Sequence, residues 1–278
     1  MFKRYAVVCL ILAISVALIV ACGRRRKKSG GDEGEKEAPA KAAYVSKGDE
    51  GSVTGHISFD GQPPAPDTID MSQDPNCAAV GGSKVTETYV VNGGKLANVF
   101  VYLKGGPADS FKYPTPSEAI NLDQKGCRYH PHVLGLMAGQ TLSVTNSDAA
   151  THNVHPSPKF NEDFNKAQTP GQGPIEHKFA RPETLIPVKC NQHPWMKAHV
   201  GVLAHPFYAV SGEDGSYTIK GVPPGSYTLV FWHEALGEQS QKITVAANGT
   251  VMQDFAFKAG TGAKPATFLK IEPELILP

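Results

Sequence analysis

The sequence predicts an all-β protein. Glycine (28 residues) and proline (22) are abundant while aromatics make up only 8% of the chain, a composition that suits short strands and frequent turns. Apolar and polar residues alternate with period two over short runs, and Gly, Pro, Asn or Asp closes nearly every run. No convincing helical period appears. With 278 residues, 41% of them hydrophobic, the chain can build one large core or two smaller ones.

The N-terminus comes first. Lys3 and Arg4 precede an apolar run from Tyr5 to Ala21 that ends at Cys22. A basic start, an apolar stretch and a small residue before a cleavage point is the order of a secretory signal, placed at 1–21. Ile19-Val20-Ala21-Cys22 resembles the lipobox of bacterial lipoproteins. That resemblance implies cleavage before Cys22, diacylglyceryl modification of its sulfur, and a chain lipid-anchored to a membrane on the periplasmic face of the cell envelope. The alternative is an uncleaved single-span anchor, and the basic cluster Arg24 to Lys28 works against export of the residues beyond it.

Residues 22–50 hold the lipidated cysteine and a charged, Ala/Gly/Lys/Glu-rich stretch that reads as a disordered tether. Losing Lys3 and Arg4 turns the formal +1 into −1, and setting aside the five basic residues at 24–28 leaves −6 from Ser29 onward. Nothing in that balance suggests nucleic acid.

Period-two alternation begins at Gly51 and runs to Phe59, stopping at Asp60-Gly61. Residues 62–83 are a Pro/Asp/Gly-rich loop containing Cys77. Strands are expected at Val85–Val91, before the turn Asn92-Gly93-Gly94, and at Leu96–Leu103. The break at Gly105–Pro116 marks a module boundary. Beyond it come Ala119–Leu122, His132–Met137, Gln140–Asn146, Ile175–Ala180, Thr184–Lys189 and Lys197–Leu203, with a long polar loop over 156–174. Further strands follow at Ser216–Ile219, Ser226–Trp232, Gln241–Ala246 and Met252–Phe257. The tail, 259–278, is Pro-spaced and unassigned.

One stretch carries chemistry. Cys190-Asn191-Gln192-His193-Pro194-Trp195-Met196 packs a thiolate, an imidazole and a thioether between two strands, and His152 lies upstream in Thr151-His152-Asn153-Val154-His155. Cys, two His and a weak Met are the ligand set of a blue-copper site. Soft sulfur suits Cu(I) and imidazole suits both oxidation states, so the cofactor expected is copper, held by Cys190, His193, Met196 and an upstream histidine, His152 or His155. Pro194 restricts the loop, and Trp195 offers an apolar wall against water. Zinc fits this donor set poorly.

Other groups are ambiguous. If Cys9 leaves with the signal, Cys22 carries lipid and Cys190 metal, then Cys77 and Cys127 remain as one pair, which an oxidising compartment would join as a disulfide; the sequence does not prove that connectivity. Cys127, His130 and His132 have the spacing of a second metal site, set against the reading as a disulfide cysteine with two loop histidines. His155 could compete with His152 as a ligand, set against the reading as a strand-end packing residue. The His233-Glu234 pair could supply a further ligand or a base, set against the reading as polar residues facing solvent at a strand end, and His199 and His205 receive no role.

Residues 117–204 resemble the cupredoxins, in their amicyanin- and plastocyanin-like branch, through Asn146-Ser147-Asp148, His152-Asn153 and Cys190-x-x-His193-x-x-Met196. The resemblance implies a Greek-key sandwich with copper at one end, held by His152, His193 and Cys190 with Met196 as axial ligand, and Asn153 tying the two ligand loops together; it favours His152 over His155 because His152 directly precedes Asn153. Val188 stands where the family often has an aromatic, and Ala198 where a glycine commonly follows the methionine. The flanks resemble the carboxypeptidase regulatory-like β-sandwich, through Gly51–Gln62 with Leu96–Leu103 and through Glu213–Tyr217 with Pro223–Leu229. The expected organisation is therefore a cupredoxin at 105–205 inserted in a second small β-sandwich built from 51–104 and 206–258.

No nucleophile with a positioned base stands out, so the chain is expected to be an electron carrier or relay and not an enzyme. The resemblance makes His193, with Pro156, Pro194 and Trp195, the exit patch toward a transient redox partner protein. The alternatives are a copper-handling protein without electron transfer and a structural or adhesion module.

Overall fold

The computed structural model describes residues 41–80 and 84–259; the signal segment, Cys22 and residues 260–278 lie outside them. Among the described residues no helix is long and apolar enough to cross a membrane. The fold is all-β, and its strands fall into two pairs of sheets.

The first pair is built from the two ends of the described chain. Strands β1 (Gly51–Asp60), β2 (Val91–Asn92), β3 (Lys95–Leu96), β15 (Ser216–Val222), β18 (Thr250–Met252) and β19 (Phe255–Lys258) form one sheet. Strand β1 is its axis, antiparallel to β15 and parallel to β18 and β19. Its period-two pattern buries Val53, Gly55, Ile57 and Phe59, as expected of a strand with one face on a core. Gly55 is required there, because a Cβ would meet the Gln253 carbonyl oxygen at 2.0 Å. The facing sheet runs β14 (Tyr208–Val210), β4 (Phe100–Lys104), β16 (Gly225–His233), β17 (Gly237–Val245). Val101, Leu103, Ile219, Leu229 and Phe231 fill the space between.

The second pair lies wholly between β4 and β14 in sequence. One sheet runs β10 (Lys166–Gln168), β9 (His152–Pro156), β12 (Glu183–Lys189), β13 (Lys197–Leu203), β7 (Val133–Met137). The other runs β11 (Ile175–His177), β8 (Leu142–Asn146), β5 (Ile120–Gln124), β6 (Tyr129–His130). Leu122, Leu136, Val144, Val154, Ile186 and Val200 make their shared core. A third cluster, Phe100, Tyr102, Val133, Leu185, Leu203 and Val230, joins the two sandwiches through β4 and β16 on one side and β7 and β13 on the other.

Several expectations need correction. The tether does not extend to residue 50: the Tyr44 ring lies 4.9 Å from Tyr113 and 5.6 Å from Phe111, and Tyr44 N donates to the Lys112 carbonyl. One aromatic residue is enough to seat this otherwise polar stretch. Leu96–Leu103 is not one strand. Asn98 adopts φ 61°, and the chain leaves the first sheet at β3 to enter the second at β4. Val85–Val91 forms no continuous strand; Val85 makes a lone bridge to Thr68 and only Val91 enters β2. The polar loop at 156–174 contains β10, which pairs with β9, and Met252–Phe257 is broken at Gln253-Asp254.

Two short helices, α1 (Pro75–Ala78) and α2 (Gly106–Ser110), were not expected. Helix α1 matters for the site. It belongs to the loop that the sequence groups with the flanking sandwich, yet Ile69, Met71 and Cys77 of that loop are buried in the core of the inserted one.

Candidate metal centre

Strands β12 and β13 pair antiparallel up to Lys189 and Lys197, so Cys190–Met196 is the connecting hairpin loop. It is closed by its own backbone: Cys190 N donates to the Met196 carbonyl (3.2 Å) and Met196 N to the His193 carbonyl (2.9 Å). Val188 and Ala198, the two departures from the cupredoxin pattern, face each other across this hairpin, and both are buried. His152 opens β9, whose far end pairs with β12 at Val188 and Lys189. The sheet itself therefore brings the distant histidine to the loop.

The donor atoms converge. His152 Nδ1 and His193 Nδ1 are 2.9 Å apart, and Cys190 Sγ is 3.7 Å from His193 Nδ1. All three side chains are buried: His152 is fully inaccessible, Cys190 is 2% exposed and His193 3%. Met196 is fully buried in the same core as Cys190.

The outward nitrogens are already taken. His152 Nε2 lies 2.9 Å from Asp148 Oδ2, and His193 Nε2 lies 3.1 Å from Asp74 Oδ2 and 3.6 Å from Cys77 Sγ. A carboxylate accepts only, so each imidazole donates Nε2–H outward and turns its Nδ1 lone pair inward. Two lone pairs and a sulfur facing one another need a cation between them. In the metal-free molecule a proton on His152 meets that need. Burial works against a charged His152, but Asp148 and the neighbouring Cys190 outweigh it and hold its pKa up at about 9. Burial likewise works against the Cys190 thiolate, and the His152 hydrogen bond overrides it with backbone N–H groups, so the thiol is more acidic than usual. His193 is pushed down, first by its own burial, despite Asp74. A cation-seeking pocket with two imidazoles and a thiolate fits copper by the chemistry of its donors.

Asn153 bridges the start of β9 and the Cys190 loop. Its backbone N–H points at Cys190 Sγ (3.5 Å), and its side-chain oxygen accepts from Asn191 N (2.8 Å). Asn165 accepts from its Nδ2 at 2.7 Å. Trp195 is half-buried, and its Nε1–H donates to the Cys127 carbonyl at 3.0 Å. His155 sits on β9 and meets Asn191 Oδ1 at 2.9 Å, away from the donor atoms.

Cys77 and Cys127 are joined as a disulfide, which leaves Cys127 no role as a metal ligand beside His130 and His132. The bridge is part of the centre. Asp148 accepts from Gly126 N (2.6 Å) and Cys127 N (2.8 Å) while holding His152. On the other half of the bridge, Asp74 caps α1 by accepting from Asn76 N (2.8 Å) and Cys77 N (3.3 Å) with one oxygen, and holds His193 with the other.

Sequence reasoning missed both carboxylates. Asp148 reads as a turn residue and Asp74 as part of a loop, and neither pattern says anything of the histidine that the carboxylate holds. The expected exit patch also changes. The His193 ring does not reach the surface, because the loop bearing Asp74 and Cys77 covers its Nε2 edge. Pro156 is buried as well. Solvent approaches through an open cleft of ≈ 420 Å³ lined by Asp70, Gln73, Asp74, Gln192, Pro194 and Trp195, with His193 at its base.

Comparison with known proteins gives partial likenesses. A family model described as the carboxypeptidase regulatory-like domain matches residues 191–258. Among solved structures, a Cu(I) form of an amicyanin variant is 22% identical, covering 30% of this chain and 81% of its own, with a TM-score of 0.27. A purple cupredoxin from Nitrosopumilus maritimus is 23% identical over 30% of this chain and 97% of its own, TM-score 0.26. A copper-containing nitrite reductase from Thermus scotoductus SA-01 is 21% identical over 36% of this chain, TM-score 0.28; only 25% of that enzyme is covered. No curated protein sequence matches.

Proposed function

We propose that this chain is a mononuclear type 1 copper protein that carries or relays single electrons in the cell envelope, and that it is not an enzyme. The observation that carries the reading is the convergence of His152 Nδ1, His193 Nδ1 and Cys190 Sγ, with both outer imidazole nitrogens tied to carboxylates. His152, Cys190 and His193 would hold the ion, with Met196 beside them as the weak fourth donor. Copper in such a set supplies a one-electron couple between Cu(II) and Cu(I).

The protein's part is to keep the donors from moving. Asp148 and Asp74 fix both imidazoles in one tautomer and orientation. Asn153 locks Cys190 to the His152 strand. The disulfide, with one aspartate anchored at each half, ties these supports together, so oxidation and reduction meet the same cage. Burial of the thiolate keeps water and oxidants from the sulfur.

The envelope location rests on the N-terminal pattern, and the disulfide suits an oxidising compartment. The partner is another redox protein, meeting the chain transiently over a small interface at the Pro194–Trp195 cleft, with Trp195 and Asp74 between solvent and His193.

The test is optical. Added Cu(II) is expected to give the purified chain an intense thiolate-to-copper charge-transfer band, and Cys190→Ser is expected to abolish it. A chain that stays colourless with Cu(II), or a band that survives Cys190→Ser, would refute the assignment.

A further inference from the structure

A second constellation lies where the two sandwiches meet, on residues that the copper centre does not use. His199 is on β13. His132 immediately precedes β7, the parallel neighbour of β13, and its carbonyl accepts from His199 N at 2.9 Å. These adjacent strands present two imidazoles toward the end of β16, where Glu234 follows His233. His132 Nε2 is 2.6 Å from Glu234 Oε1, and His199 Nε2 is 3.4 Å from Glu234 Oε2. One donor atom from each of the three side chains lies within 4.8 Å of the others.

The surroundings are those of a built site. The side chains of His132 and His199 are 9% and 8% exposed and that of Glu234 15%. His199 is the telling member: neither ring nitrogen makes a hydrogen bond, although both are buried. The ring is held by packing, 5.0 Å from the Trp232 ring and 5.8 Å from that of His132. A buried imidazole without a partner normally finds one, and here Nε2 already points at a carboxylate that a neighbouring imidazole shares. Glu87 stands behind, 3.9 Å from His132 Nδ1 and bound to Arg128 at 3.2 Å.

We propose that His132, His199 and Glu234 form a second metal site, for a divalent first-row transition ion of which zinc best fits the donors, clamping the inserted sandwich to the flanking one. Two imidazoles and a carboxylate are a recurrent zinc donor set, with metal–ligand distances of about 2.0–2.2 Å and a fourth position open to water or a further carboxylate. Neighbouring ligand atoms around a tetrahedral ion of that size stand roughly 3.4 Å apart. His199 Nε2 and Glu234 Oε2 have that spacing already. His132 Nε2 now lies against the other carboxylate oxygen, Oε1, at 2.6 Å; the ion displaces that contact, exchanging a shared proton for the metal, and the carboxylate turns one oxygen to face both imidazoles. Zinc is d10 and gives no visible band, and no thiolate is present to give bound copper an intense one, so this site is separable from the first.

The test uses the full chain carrying Cys190→Ser, dialysed against Zn(II) with metal counted per chain. One tightly held zinc is expected, weakened at least tenfold by His199→Gln and by Glu234→Gln and retained in His193→Ala. Near-ultraviolet circular dichroism checks that each variant is folded, and anomalous scattering from zinc-soaked crystals of the unsubstituted chain should place the ion between the three side chains. No zinc bound, or zinc held equally by the parent and both variants, would overturn the proposal. So would zinc lost in His193→Ala but kept in His199→Gln.

Discussion

Phe100 gives the sharpest test of how the two sandwiches are joined. Its ring is fully buried over Gly135 and Gly201, which are register partners across β7 and β13. A Cβ at position 201 would sit 2.4 Å from Phe100 Cζ, and one at 135 would sit 2.3 Å from Tyr208 Cε2. Ordinary carbon contacts are about 3.5–4.0 Å, so an added methyl at 201 must displace the ring by roughly an ångström. The ring has little room to go, with Tyr208 stacked at 5.5 Å and Tyr102 at 5.7 Å. Gly201→Ala is therefore expected to cost about 1–3 kcal/mol as overpacking. Phe100→Ala is expected to cost about 3–5 kcal/mol as a cavity. In the double variant the methyl enters the space the ring has left, so the combined loss should fall short of the sum by about 1 kcal/mol or more. Urea unfolding followed by tryptophan fluorescence reads all four chains, since Trp195 and Trp232 report on one sandwich each. Full additivity, or no loss in Gly201→Ala, would show that the ring is not seated in the glycine pair.

Two other regions of the molecule give outcomes of their own. Cys77 and Cys127 are 50 residues apart, and closing a loop of that length removes denatured-state entropy worth about 4 kcal/mol. The pair Cys77→Ala with Cys127→Ala should lower the denaturation midpoint accordingly; an unchanged midpoint would mean that the loop over His193 is anchored without the bridge. His205 is 3% exposed, its Nδ1 accepts from Phe207 N at 3.2 Å, and burial pushes its pKa down to about 4 against the weaker pull of Asp109. The folded state thus resists protonation that the unfolded chain accepts near 6.5. Stability is retained above about pH 6.5 and lost as pH falls from there toward 4, by about 3 kcal/mol in all. Thermal unfolding between pH 7 and 4.5 should show that loss, and His205→Gln should flatten it; an equal slope in both would assign acid sensitivity elsewhere.

The sequence made the Cys190–Met196 loop legible because its information is local. Cys190, His193 and Met196 lie within one turn, and the alternating runs on either side mark that turn as a hairpin. His152 was within reach because a strand end and Asn153 signpost it. The carboxylates behind the imidazoles were not, since Asp74 and Asp148 sit in segments whose own patterns announce only loops and turns. The same limit hid the covering loop. Ile69 and Met71 are isolated apolar residues in a polar stretch, and nothing local says which core receives them. Edge strands such as β10 and β14, three residues each, are too short to show a period. The run at Leu96–Leu103 looked continuous because Asn98, a residue tolerant of positive φ, interrupts the strand without interrupting the hydrophobic pattern. His132, His199 and Glu234 come from three distant stretches. Only the pairing of β7 with β13 and the packing of β16 against them bring the three side chains together.

The central claim is that His152, Cys190 and His193 hold an ion that changes charge by one electron within an unmoving cage. Spectroelectrochemical titration of the copper-loaded chain tests it most directly. The charge-transfer band is expected to bleach on uptake of one electron per chain and to return fully on reoxidation, through repeated cycles. A band that fails to return, or copper that takes up no electron while bound, would contradict it.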